Sequence, residues 1–168
     1  LIEEDGQMTD TGATPALTLH PQRPPLARAL GFAGLLPQVA VVLTLGSGST
    51  WWHFAALSLG YAYAALIFSF LGGMWWGLAA RQSDRTPAWV WLAAIAPSLI
   101  ALATAVPWAI GAPWPGPSLA VLGVALLLSL LVDRRLAALG LAPSWWMALR
   151  VPLSIGLGIL TLATAILG

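Results

Sequence analysis

From Leu26 to Leu167 the chain passes through five stretches of about twenty residues that are nearly free of charge. A bilayer core about 30 Å thick takes about 20 apolar residues of helix to cross. The stretches run over 26–46, 54–80, 88–110, 118–139 and 146–167. Pro87 and Pro117 open the third and fourth, and Gly140 closes the fourth, which is where Pro and Gly punctuate helices. The connections GSGSTWWH, RQSDRTP, GAPWPGP and GLAPSW are short, so neighbouring helices are expected to run antiparallel. The fold class expected is therefore all-α: a polytopic membrane protein, a five-transmembrane-helix bundle over 26–168 with no separate soluble domain. Pro37, Pro97 and Pro152 fall inside spans, where each removes a helix hydrogen bond and invites a kink. Pro107 lies near the end of the third.

Composition excludes the alternatives. The 168 residues are 59% apolar and 8% charged, whereas a soluble domain carries about 25% charge. Disorder conflicts with the apolar fraction, and a disulfide scaffold with the absence of Cys. Residues 1–25 differ from the rest: acidic, then rich in Thr and Pro, they read as a disordered N-terminal tail. Residues 1–7 precede the first Met, Met8, and read as an upstream extension or an expression remnant. Lys and Asn are absent while Ala, Gly, Pro, Arg and Trp abound. That bias suggests a GC-rich coding sequence and a bacterial source, hence a multi-pass protein of the bacterial inner membrane.

The net charge of +1 conceals an asymmetry. Without Glu3, Glu4, Asp5 and Asp10, seven Arg stand against Asp84 and Asp133, a net of +5. Five alternating spans put every Arg on one side: Arg23 and Arg28, Arg81 and Arg85, Arg134 and Arg135, and Arg150. The positive-inside rule then places the N-terminus in the cytoplasm and the C-terminus outside. The Arg are scattered in ones and twos, unlike a nucleic-acid patch. The ten Trp are expected as interfacial belts, with Trp51, Trp52, Trp108 and Trp114 at the outer boundary. Trp75, Trp76, Trp89, Trp91, Trp145 and Trp146 would mark the inner one, Trp75 and Trp76 lying deeper, about 8 Å inside Arg81.

Two constellations stand out. On the second span Ala65, Ser69, Gly73 and Gly77 recur every four residues, and small stripes let helices approach closely in lipid. Such a stripe ordinarily packs at the centre of its own bundle. The sharper possibility is a docking face for another subunit or a flat ligand. Near the inner leaflet, Asp133 lies about 9 Å short of the end of its span, and Arg150 one turn into the next. Asp133 is expected to pair with Arg150 or Arg134, as an intramembrane ion pair locking spans four and five. A proton or anion site is the functional alternative.

Catalytic chemistry finds little to stand on. There is no Cys nucleophile and no acid pair, and His20 and His53 do not make a metal or haem site, so no metal and no cofactor are expected. GSGST over 46–50 lacks the Lys of a phosphate loop and reads as a flexible turn.

The segment Tyr63-Ala-Ala-Leu-Ile-Phe-Ser69-Phe-Leu-Gly72-Gly73-Met-Trp-Trp76-Gly77 resembles the family catalogued as domain of unknown function 3429. That family includes the animal transmembrane protein 69, a mitochondrial protein. Trp145-Trp146-Met-Ala-Leu149-Arg150-Val-Pro-Leu153-Ser154 is similar to a second family stretch, with Trp146 for the usual Tyr and Ser154 for the usual Thr. Gly31-Phe-Ala-Gly34-Leu-Leu-Pro37 matches its first helix. The resemblance covers about residues 27–168. It implies a small multi-spanning inner-membrane protein, no particular reaction, and shared positions at Gly72, Gly73, Trp76, Gly77 and Arg150. With the small stripe, these leave Ser69, Gly72, Gly73, Trp75, Trp76 and Gly77 as candidates for binding a ligand or partner.

Two functions compete. One is a non-enzymatic accessory or assembly factor of a membrane complex, acting by helix packing on other inner-membrane subunits or a second copy. The other is a small-molecule carrier for a porphyrin, quinone or lipid, similar in helix number, length and Trp content to tryptophan-rich sensory proteins. Their Trp-x-Pro-Pro-rich first loop and paired Trp spacing are not present here.

Overall fold

The computed structural model describes residues 25–168. The disordered tail expected over 1–25 lies outside them, apart from Pro25, which already opens a helix. Six α-helices follow in order: α1 (Pro25–Ala33), α2 (Leu36–Gly46), α3 (Thr50–Ala80), α4 (Ala88–Ala109), α5 (Gly116–Ala138) and α6 (Trp146–Leu167). A single 3-10 turn, Ser83–Arg85, lies between α3 and α4. With α1 and α2 taken together, five segments are long and apolar enough to cross a membrane. The protein is a multi-pass membrane protein set in a lipid bilayer.

The first span is not the single helix expected over 26–46. A proline ring clashes with the carbonyl four residues back, and for Pro37 that residue is Ala33, where α1 ends. Gly34 and Leu35 form the turn, and α2 restarts with Pro37 in its first turn, where the missing N–H costs nothing. The Tyr63 hydroxyl of α3 donates to the Gly34 carbonyl in this turn. The second span begins earlier than expected, at Thr50 instead of 54, so Trp51, Trp52 and His53 sit on the helix and not in a loop. Pro97 and Pro107 are carried within α4, and Pro152 within α6. Gly48, Gly111 and Gly140 adopt φ near +70° in the turns after α2, α4 and α5, a conformation that favours Gly.

Helix α3 is the spine. Its Ala64, Phe68 and Leu71 pack with Leu122 and Leu126 of α5 and Leu157 of α6. Towards its C-terminal end Trp75 and Ala79 pack with Val90 and Ala94 of α4 and Leu136 of α5. At the opposite end Ala56 and Leu57 meet Val41 and Leu45 of α2 and Leu119 of α5. The broadest pairing, α5 on α6, is made close by glycine. A Cβ added at Gly123 would lie 3.2 Å from the Gly158 carbonyl, and one at Gly158 equally close to the Gly123 carbonyl. Lipid tails give helices no hydrophobic reason to associate, so backbone approach of this kind carries the packing. Many large apolar side chains, Leu66, Phe70, Leu92 and Leu102 among them, are exposed and face the lipid.

Candidate functional site

Helical spacing assembles the polar centre. Residues four apart share a face. Ser129 and Asp133 lie so on α5, and Trp146, Arg150 and Ser154 on α6. Trp75 enters from α3. Asp133 is fully buried, and Arg150 is only 6% exposed. Asp133 Oδ2 accepts from Arg150 Nε at 2.9 Å. Asp133 Oδ1 accepts two indole N–H groups, from Trp75 at 2.9 Å and Trp146 at 3.0 Å. Arg150 Nη2 reaches Ser129 Oγ at 3.4 Å, and that hydroxyl donates to the Leu126 carbonyl. Three of the roughly four lone-pair sites of the carboxylate are thus taken, and three helices are tied at one atom group. This is the one ion pair among the described residues.

Arg134, named in sequence as the other partner for Asp133, is exposed and takes no part, as is Arg135. Consecutive residues on a helix point about 100° apart, so Arg134 turns away from the interface that Asp133 enters and does not pair with it. Two Trp expected in the inner belt sit elsewhere. Trp75 is 2% and Trp146 8% exposed, because an indole N–H with a buried carboxylate in reach is better satisfied there than at the headgroups. Trp76 is on the outside, 47% exposed, with its ring edge-on to Trp91 of α4 at 4.8 Å. Trp51, Trp52, Trp89 and Trp108 are exposed, as interfacial anchors are.

The small stripe divides. Ser69 is half-buried, whereas Gly73 and Gly77 are exposed, with nothing within 4 Å of a Cβ added at either. The stripe therefore does not fill the centre of its own bundle, because α3 turns a neighbouring line inward: Ala64, Phe68, Leu71, Gly72 and Trp75. Gly72 is buried, and a Cβ there would collide with the Ala94 carbonyl and touch Pro97 at 3.3 Å.

A second polar centre, which sequence reasoning missed, lies towards the opposite end. Gln38 of α2 is fully buried, and its Nε2 donates to Thr164 Oγ1 at 3.2 Å while Oε1 finds no partner. Nearby Tyr61 meets Thr104 Oγ1 at 3.1 Å, and Ser118 donates to the Thr104 carbonyl at 2.7 Å. The available signal was a Gln inside an apolar span, where an uncompensated amide is expensive. For Trp146 and Ser129 it was their four-residue spacing from Arg150 and Asp133. Beside the Arg150 node a cavity of about 330 Å³ opens between α1, α3 and α6. Among the described residues no group of three His, Asp or Glu is placed to hold a metal ion.

Residues 23–166 match a family model described as Protein of unknown function (DUF3429). The chain belongs to that family. No curated protein and no solved structure matches it. The DUF3429 match takes in both polar centres, the exposed glycine face and all six helices from Pro25 to Ile166.

Proposed function

We propose that this DUF3429 protein is a non-enzymatic helix-packing subunit, an accessory or assembly factor of an inner-membrane complex. It would sit in a bacterial inner membrane with its N-terminus cytoplasmic, as the one-sided Arg distribution supports. The observation that carries the proposal is the outward half of the α3 stripe. Gly73 and Gly77 leave a smooth trough one turn long on the outside of the bundle, next to the Trp76–Trp91 pair. Lipid does not require glycine, and glycine weakens a helix by about 1 kcal/mol relative to Ala. A neighbouring helix seated at close range gains from it. The occupant is a helix of another subunit or of a second copy.

The test is extraction in mild detergents followed by native gels. The native chain should migrate in a larger assembly, and Gly73→Leu with Gly77→Leu should release it without lowering thermal stability, since both sites are open. A free monomer in every detergent, or an assembly indifferent to both substitutions, would sink the proposal. Because the chain has no Cys, orientation is read by single-Cys labelling. Ser49→Cys should react from outside and Ser83→Cys from inside.

A further inference from the structure

The cavity beside Arg150 shares Trp146 and Arg150 with the ion-pair node and is separate from the glycine trough. Its volume, about 330 Å³, is at the small end of ligand pockets, which run from roughly 300 to 1,000 Å³. Leu30 of α1 and Phe70 of α3, both exposed, line it, so it reaches the lipid-facing surface between those helices. The walls are apolar except at the end formed by Trp145, Trp146, Arg150 and Ser154.

That end carries unused hydrogen-bonding capacity. Ser154 is buried at 2% exposure, and its Oγ has no partner. A hydroxyl on a helix ordinarily bonds the carbonyl four residues back. On the same helix Thr161 and Thr164 do this, to Leu157 and Leu160. Ser154 does not, and a buried orphan hydroxyl of this kind calls for an explanation. Arg150 spends Nε on Asp133 and Nη2 on Ser129, and its Nη1 donates to nothing within the described residues.

We propose that the cavity binds a neutral, carbonyl-headed lipid with a single tail. The carbonyl oxygen accepts from Arg150 Nη1 and Ser154 Oγ, and the tail lies along the apolar walls towards Leu30 and Phe70. The head is neutral because Asp133 already balances Arg150. A second carboxylate would bury an uncompensated negative charge, which is far dearer than burying a neutral acceptor. The tail is single because the volume equals that of only about ten water molecules. A lipid quinone and a monoacylglycerol share this chemistry.

The purified full-length protein is titrated with decylubiquinone and read by tryptophan fluorescence, since Trp145 and Trp146 line the site. Saturable partial quenching is expected. Ser154→Ala, which removes a hydroxyl bonded to nothing, should weaken binding about three- to tenfold at unchanged melting temperature. Gly31→Leu should abolish it by filling the cavity, its Cβ meeting only the flexible ends of Leu149 and Leu153. Competition by monolaurin supports the general carbonyl-and-tail chemistry, and its failure to compete supports a quinone as the source. Laurate should compete poorly. Linear quenching, quenching untouched by Ser154→Ala, or laurate competing as well as monolaurin would overturn the proposal. Gly73→Leu should leave binding unchanged, so this site and the subunit-docking role stand or fall separately.

Discussion

The two buried polar centres are built to different standards. Around Asp133 both carboxylate oxygens find donors, from α3 and α6. Around Gln38 one amide proton is spent on Thr164, and the amide oxygen is left without a partner. Both centres pin helices that lipid would not drive together. They differ in charge: an unpaired carboxylate or guanidinium in hydrocarbon is intolerable, whereas a half-satisfied amide is merely expensive. The charged centre therefore draws three donors onto one carboxylate. The neutral one tolerates slack.

Substitutions can break this contrast. Asp133→Ala strands Arg150 and two indole N–H groups together, and should cost about 3–5 kcal/mol, read as lost membrane abundance and a collapsed melting temperature. Trp75→Phe removes one donor to the carboxylate while Trp146 keeps the other. A loss of about 1.5–3 kcal/mol is expected, measured by thermal unfolding in the same detergent. Gly72→Ala drives a methyl group into the Ala94 carbonyl and should cost about 1–3 kcal/mol. Gly73→Ala, one residue along, should cost nothing measurable. Gln38→Leu removes the orphan oxygen with the amide and should fall within about 1 kcal/mol of neutral. A Gln38→Leu as damaging as Asp133→Ala would erase the distinction between the two ends.

Much of the architecture was legible because lipid leaves the chain few options. Charge-poor runs, Pro before helices and Gly after them located all five spans to within a few residues. The misses have one origin: which side of a helix faces inward is settled by partners the sequence does not name. Gly73 and Gly77 advertise close packing as loudly as Gly72, yet only Gly72 meets another backbone inside the chain. Trp146 carries the same interfacial preference as Trp145, and its inward aim became apparent only with Asp133 in place. Pro37 announced a disturbance, but whether a kink or a full break follows depends on what meets the carbonyls of the turn, here Tyr63 from another helix at Gly34.

That break bears on how the protein is made. Helices of nine and eleven residues are each too short to cross about 30 Å of hydrocarbon. Backbone groups inside a bilayer must be satisfied by protein, and the satisfying hydroxyl arrives only with α3. The first span thus cannot settle as a finished unit before its successor is threaded. The α1–α2 span is completed by α3, so these three helices are expected to settle in the membrane as one unit.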